Sequence, residues 1–287
     1  MTVLAVCANE ARGQTGPYIE MDLGTSVAPP FTMHGSDNDW GTKCDLIINP
    51  LGIEAAGECD TAPPLTSWTN EFDGGTGIRA GAALGYDWGP VRLEGEYFHR
   101  VTAYGDQSDI DIFDDVTLDK QEQEIELAVG GVDDWRSHGG FLNAYYDFGA
   151  SASWTPYLGA GFGMERASLD YVSVWKRNDD PERISTFVDP VLRAKVAGTT
   201  TVGNAPVSDS TLGYQLLAGV DYAMGSRTVL GVKLRWVDFE AFESGEYLWS
   251  QLRSHESSVG RGGDILYTVT TDDKEFWALD ISLKYLF

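Results

Sequence analysis

The 287-residue sequence has little positive charge: 20 Lys and Arg residues stand against 44 Asp and Glu residues, a net charge of −24. A chain this acidic is repelled by phosphate backbones, which argues against any nucleic-acid partner. Long apolar runs are also missing, because charges, Gly and Pro interrupt every window of about 18 residues, and this excludes a transmembrane helix. It does not exclude a membrane protein, since a barrel strand needs only about 10 residues of alternating polarity.

Alternation of apolar and polar residues is the strongest pattern present. It occupies eight segments, at residues 18–25, 78–88, 91–101, 141–148, 156–165, 212–222, 228–236 and 275–287. The connections alternate between long (29–74, 105–137, 175–210 and 245–274) and short (87–90, 149–155 and 224–227). Long outer loops and short periplasmic turns are typical of a transmembrane β-barrel, whereas a soluble sandwich has no reason to sort its loops in this way.

The two faces of these segments differ in charge. One face is apolar, and its aromatic residues form two groups. Beside the short connections lie Tyr86, Trp88, Tyr146, Phe148, Tyr222, Tyr285 and Phe287, and toward the long connections lie Tyr97, Phe162, Tyr214, Trp236 and Trp277. Two such belts match the aromatic girdles at two membrane interfaces. In the alternative, a soluble lipocalin-like barrel, the apolar face would point inward.

The other face carries six acidic and six basic residues. They are Glu20, Asp22, Arg79, Arg92, Glu94, Glu96, Arg100, Glu165, Lys233, Arg235, Asp280 and Lys284. We predict that they form a charge network inside an all-β fold, an eight-stranded antiparallel up-and-down transmembrane β-barrel with four long extracellular loops. Ten strands are an alternative, with residues 111–118 and 122–129 pairing as a further hairpin.

The last strand, LDISLKYLF, places Phe287 after Leu279, Ile281, Leu283 and Tyr285 at every second position. This arrangement resembles the C-terminal signal of bacterial outer-membrane proteins, and implies recognition by the barrel-assembly machinery. The segment NAYYDFGASASWTPYLGAGFGMERA is similar to the fourth and fifth strands of the surface-antigen, outer-membrane-protein-A-like β-barrel superfamily. The resemblance implies a bacterial outer-membrane location, in contact with lipid and lipopolysaccharide.

The chain start fits export. Residues 1–13 contain a short apolar run and Ala11-Arg12-Gly13, which is similar to the small-x-small cleavage rule of a secretory signal. A positively charged n-region is missing, so we predict that residues 1–13 are a signal-peptide remnant and that 14–287 form a single barrel domain. An ordinary disordered terminus is the alternative.

Two of the three cysteines, Cys44 and Cys59, lie in the first long loop, and an exported pair predicts a disulfide rather than a metal site. A bridge across about 15 residues is expected to stabilise its loop by roughly 3 kcal/mol. Reduction should therefore expose the loop to protease and leave the strands intact. Mass spectrometry of non-reduced peptides checks this, and alkylation of both thiols without prior reduction would contradict it.

The acidity is concentrated in two of the long loops. Residues 29–74 hold eight acids and one base, and residues 105–137 hold eleven acids and two bases. Such runs are usually solvated surface. The sharper interpretation is a basic or cation-bridged surface partner, self-association through the loops, or weak Ca²⁺ or Mg²⁺ binding. We predict no cofactor and no specific metal site, because the acidic run at 109–115 lacks the glycine of an EF-hand loop.

Only four histidines are available for catalysis: His34, His99, His138 and His255. We identify no serine placed to pair with His99, and the Asp doublets are expected in loops this acidic, so the sequence predicts no enzyme. An eight-stranded barrel is only wide enough for its own side chains, and opposite charges inside it should pair and close it. The sequence therefore predicts a structural or surface-interaction role, and a narrow porin-like channel for ions or small solutes is the alternative.

Overall fold

The computed structural model describes residues 15–40, 65–104, 111–112, 124–149, 153–184, 187, 189–249, 264–272 and 274–287. The signal-peptide remnant, the Cys44–Cys59 pair and His255 lie outside these ranges, so the predictions made for them stay predictions.

Fourteen strands are found in the described residues. They are β1 (Gly16–Ala28), β2 (Phe31–Trp40), β3 (Leu65–Phe72), β4 (Gly75–Asp87), β5 (Val91–Ala103), β6 (Asp111–Ile112), β7 (Ile125–Val132), β8 (Trp135–Asp147), β9 (Trp154–Arg177), β10 (Thr200–Ala223), β11 (Thr228–Phe239), β12 (Tyr247–Leu248), β13 (Leu266–Thr271) and β14 (Lys274–Leu286). A 3₁₀ turn (Pro181–Arg183) and helix α1 (Pro190–Val196) connect β9 to β10. Neither is long and apolar enough to cross a membrane.

Eight strands close into a barrel in the order β10-β11-β14-β1-β4-β5-β8-β9, and pairing of β9 with β10 completes the ring. All eight pairings are antiparallel. These strands contain the eight alternating segments, which confirms the predicted fold class. Closure leaves no unpaired sheet edge within the membrane, where water is not available to hydrogen-bond the backbone.

The outside of the barrel is apolar. Leu142, for example, is 76% exposed, and both aromatic girdles point away from the lumen, with Trp236 half-buried. A soluble protein would bury these side chains, so the wall is built to face lipid. We take the part of each strand between the girdles as membrane-spanning.

Strands β9 and β10 extend far beyond the predicted 156–165 and 212–222. Their pairing is continuous from Trp154–Tyr222 to Lys176–Thr200, so about 11 residues of each strand lie beyond the predicted segment, or roughly 35 Å along the strand. The inward face changes character there. Up to Glu165 it carries Tyr157, glycines and Glu165 itself, whereas farther out it carries Leu169, Tyr171 and Trp175. The strand continues, but its apolar side chains now point inward, as in a soluble protein, instead of outward toward lipid.

The long connections are structured where they are described. They supply a second sheet in the order β12-β13-β2-β3-β6, and β7 pairs with the projecting end of β9. The alternative hairpin of 111–118 with 122–129 is therefore not formed by the described residues, because β6 pairs with β3 and β7 with β9. The barrel has eight strands, and the additional strands belong to its outer extension.

An aromatic-rich cluster, the outer core, fills the space between the second sheet and the projecting strands. Its buried members are Phe31, Met33, Trp68, Phe72, Trp135, Ala167, Leu169, Tyr171, Trp175, Ala205, Val207, Phe242, Trp249, Ile265, Tyr267 and Val269. Because residues from both parts contribute, the outer structure packs as a continuation of the barrel rather than as loose loops.

Candidate functional site: the filled lumen and the outer core

All twelve residues proposed for the interior network point into the lumen, and each is 5% exposed or less. Their strands follow a strict two-residue period, so the same parity that places leucines in lipid places these charges inside. Buried charges on this scale require partners, because an unpaired ion inside a protein is costly.

Glu96 is the centre of the network. Its carboxylate accepts hydrogen bonds from Asn143 Nδ2 at 2.8 Å, Gln215 Nε2 at 3.2 Å and Arg235 Nη1 at 3.2 Å. A further bond comes from the guanidinium of Arg79. Glu96 thus joins side chains of four other strands at one level of the barrel.

Two more carboxylates complete this level. Arg235 Nε donates to Asp280 Oδ2 at 2.7 Å, and Arg79 donates to Asp22. Both arginines are therefore held between acidic groups on either side, which fixes them across the lumen.

A second set of ion pairs lies toward the short turns. Lys233 Nζ is 2.6 Å from Glu20 Oε1, and Lys284 Nζ is 2.7 Å from Asp221 Oδ2. Arg92 bridges Asp147 at 2.8 Å and Asp221 at 3.1 Å. Sequence reasoning left Asp147 and Asp221 out of the network, although both lie on the charged parity of their strands, which is the signal that could have found them. The lumen therefore holds eight acids and six bases rather than six of each.

Glu94 has partners of another kind. It accepts hydrogen bonds from Tyr18 Oη at 3.0 Å, Tyr145 Oη at 2.8 Å and Asn143 Nδ2 at 3.2 Å. The expected cationic partner is replaced by neutral donors on β1 and β8. Buried tyrosines whose hydroxyls meet a carboxylate are difficult to recognise from the sequence of one strand alone.

An aromatic layer lies in the lumen on the outer side of the ion network. Its buried members are Ala28, Phe98, Phe141, Val237, Phe239, Phe276 and Ala278. Arg100 stacks its guanidinium 3.8 Å from the Phe276 ring centroid and lies 3.6 Å from Glu165. No single segment of the sequence signals this layer, because its members come from five different strands.

Lys274 lies at the junction of the aromatic layer and the outer core, three residues beyond Trp277 of the outer girdle. It is 6% exposed, and its Nζ has no hydrogen-bond partner among the described residues. The ammonium lies 3.7 Å from the Phe31 ring centroid and 5.5 Å from that of Trp135. Burial, with nearby Arg100 contributing, lowers the pKa of Lys274 to about 7, although Asp272 acts in the opposite direction.

This burial predicts a pH-dependent stability. Between pH 7 and about 10.5 the unfolded chain binds a proton that the folded Lys274 releases, so the free energy of unfolding should rise with pH across this window. The difference in stability between Lys274→Met and wild type should change by up to about 1.4 kcal/mol per pH unit, because a rising pH removes the cost of burying a charged lysine in the wild type. Urea unfolding in detergent at pH 7 and pH 9 measures it. Lys176→Met, which removes an exposed ammonium paired with Glu126, should show no such dependence.

The outer core contains its own buried hydrogen bonds. Trp68 Nε1 donates to Tyr171 Oη at 2.9 Å, and Tyr171 Oη donates to Asn70 Oδ1 at 3.1 Å. Trp249 Nε1 donates to Asp37 Oδ2 at 3.0 Å. Burial raises the pKa of Tyr171 to about 12. The bonds of Tyr171 tie the second sheet to the projecting part of β9, and the Trp249–Asp37 bond connects the end of β12 to β2.

The three described histidines lie in two places, His34 on the second sheet and the paired His99 and His138 on the barrel wall. His34 lies on the second sheet, with Nε2 3.5 Å from Asp272, and both side chains are exposed. His99 and His138 point outward from the barrel wall. No group of three or more His, Cys, Asp or Glu residues in the described ranges is arranged to hold a metal ion. About half of the two acidic loop segments proposed for weak cation binding falls outside those ranges.

The five residues of the C-terminal signal share the lipid-facing side of β14 and the residue after it. Leu279, Ile281, Leu283, Tyr285 and Phe287 are all exposed on the barrel wall. Their recognition by the assembly machinery stays a prediction.

Comparison with known proteins identifies the family. The outer membrane protein beta-barrel domain profile matches residues 1–264. No curated protein sequence matches the chain. Among solved structures, the chain is similar to Neisserial surface protein A (NspA), with 14% identity, 95% of this chain and 97% of that chain covered, and a TM-score of 0.43. It is also similar to OprG from Pseudomonas aeruginosa, with 12% identity, coverage of 96% and 99%, and a TM-score of 0.46.

A third similar structure is the outer membrane protease OmpT from Escherichia coli, with 8% identity, coverage of 93% and 97%, and a TM-score of 0.34. The family assignment comes from the profile match, which covers most of the sequence. The chain therefore belongs to the outer membrane protein beta-barrel domain family, and it is a β-barrel protein of the bacterial outer membrane.

Proposed function

We propose that this protein is a sealed membrane anchor that presents a folded outer structure for surface interaction, and that it is not an enzyme. The observation that carries the proposal is the filling of the lumen. Ion pairs cross it from Glu20–Lys233 to Glu96–Arg235, and the aromatic layer covers them on the outer side. Such a lumen offers solutes no path across the membrane unless the network opens.

The outer structure supports the second half of the proposal. A solvated loop does not need a hydrophobic core. The outer structure has one, and its tryptophans and tyrosines are joined by hydrogen bonds. The described outer surface is rich in carboxylates, among them Asp209, Glu240 and Glu243. A basic partner, a partner bridged by Ca²⁺ or Mg²⁺, or a second copy of the chain would suit this surface.

The non-enzymatic part of the proposal rests on geometry. The His34–Asp272 couple lies on an exposed sheet face, opposite Thr69 and Thr270. A threonine activated by such a couple would also need donors for a developing oxyanion, and we identify no such arrangement in the described residues.

Conductance in planar lipid bilayers tests the sealed anchor against a narrow channel. The purified, refolded protein should produce no steady unitary steps at neutral pH. Regular steps whose size scales with salt concentration would overturn the proposal in favour of the channel. Glu96→Ala serves as a positive control, because loss of a central partner should open a leak if the ion network is what closes the lumen.

A further inference from the structure

Four nitrogen-bearing side chains lie together on the outside of the barrel wall. His99 on β5 pairs in register with His138 on β8, and His138 pairs with Arg166 on β9. Arg136 lies two residues beyond His138 on the same face. All four side chains are exposed, and adjacent strands are about 4.8 Å apart, so the row from His99 to Arg166 spans about 10 Å.

The row lies at the outer membrane interface. His99 is two residues beyond Tyr97 of the outer girdle. Arg166 is two residues beyond the lipid-exposed Met164, where β9 changes from a membrane pattern to a soluble one. The side chains are therefore at the level of the lipid headgroups, above an apolar wall.

The charge of this row is unusual for its surroundings. Elsewhere on the same rim, Asp238 and Glu275 lie directly opposite each other on β11 and β14. Tyr214 Oη donates to Asp238 at 2.7 Å and Trp236 Nε1 donates to Glu275 at 3.0 Å. The rim of this acidic protein thus has an acidic side and one basic side.

The nitrogen groups of the row are largely available. Arg136 Nη2 is 3.7 Å from Asp134, but both side chains are about half exposed, so this pair contributes little and competes weakly. Arg166, His99 and His138 make no ion pair with another described residue. They can therefore donate to an anion that approaches from the membrane.

We propose that the His99–His138–Arg166 row, extended by Arg136, binds a phosphate group of lipid A, the membrane anchor of lipopolysaccharide. Guanidinium and imidazole N–H groups suit phosphate oxygens, and an arginine fork binds them in bidentate fashion. Acyl chains attached to the same headgroup would lie on the apolar wall below, beside Tyr97, Leu142 and Met164. The site does not depend on the sealed lumen, since it lies on the opposite face of the wall.

Binding of lipid A carrying both phosphates, measured by native mass spectrometry of the folded barrel in zwitterionic detergent, tests the site. A charge-assisted hydrogen bond is worth enough that Arg166→Gln should weaken binding about tenfold. The triple variant His99→Gln, His138→Gln, Arg166→Gln should weaken it about a hundredfold. Arg227→Gln is the matched control, because Arg227 is exposed at the inner end of the barrel, beside Tyr285.

The outcomes separate the sources of phosphate. The proposal is supported if unlabelled lipid A displaces bound lipid A strongly and phosphatidylglycerol displaces it only weakly. Equal competition by both lipids would overturn it in favour of a general anionic-lipid surface, and equal binding by wild type and the triple variant would remove the site. Heat-shifted mobility on SDS gels verifies that each variant is folded, and Arg166→Gln decides the question if the triple variant does not fold.

Discussion

Replacing Glu96 by alanine should destabilise the barrel by about 3–5 kcal/mol, because it breaks a buried ion network and leaves Arg79 and Arg235 with one carboxylate partner fewer each. Glu96 is 4% exposed and accepts hydrogen bonds from two arginines, an asparagine and a glutamine. Without it, Arg79 retains Asp22, and Arg235 retains Asp280, but the amides of Asn143 and Gln215 lose their shared acceptor. The cost is therefore spread over four strands.

Urea unfolding of the refolded protein in detergent, followed by the loss of heat-shifted mobility, measures this effect. Glu96→Gln keeps the shape and one acceptor oxygen but removes the charge, so its loss of stability should be intermediate. Glu246→Ala removes an exposed carboxylate and should change stability by less than about 0.5 kcal/mol. If Glu96→Ala matched the wild-type midpoint, the proposed closure of the lumen by this network would be wrong.

The parity of side chains explains why so much of the barrel could be predicted from the sequence. In a strand with one face in lipid, a shift by one residue would put Arg92 or Lys233 in the membrane, so the alternation fixes both faces at once. The same rule applies to Asp147 and Asp221, which lie on the charged parity near the strand ends beside short turns. Parity cannot predict pairing across the lumen, where Glu94 accepts hydrogen bonds from two tyrosines and an asparagine rather than from a cation.

The outer structure was harder to predict for a physical reason. A search for apolar residues on the outward face stops at Met164, because from Ala167 onward β9 buries its apolar side chains inward. The alternation continues, but the apolar residues now occupy the inward positions. In the sequence this reversal is the same as the pattern expected at the end of a membrane strand. The second sheet is hard to recognise because β6 and β12 are two residues each and the pairing of β2 with β3 is irregular between Ser36 and Trp40.

Replacing Trp68 by alanine should unfold the outer structure while the barrel persists. Trp68 is 1% exposed, packs against Trp175 and Trp249 with ring centroids 6.0 and 5.5 Å away, and donates to Tyr171. Truncation of a buried aromatic side chain costs about 3–5 kcal/mol and here also leaves a buried hydroxyl with one partner fewer. The outer core has no lipid-facing wall or closed ladder to compensate.

Limited proteolysis of protein in detergent or vesicles measures the expected result. Trp68→Ala should be cleaved rapidly in the outer segments, including β2 and β3, while the fragment carrying the membrane strands keeps its heat-shifted mobility. Trp88→Ala is the matched control, because Trp88 is 53% exposed in the inner girdle and should leave the outer segments resistant. Unchanged resistance in Trp68→Ala would mean that the outer sheet does not depend on this core. Loss of the heat shift as well would mean that barrel and outer structure fold as one cooperative unit, since the lumen network and lipid-facing wall are untouched by the substitution.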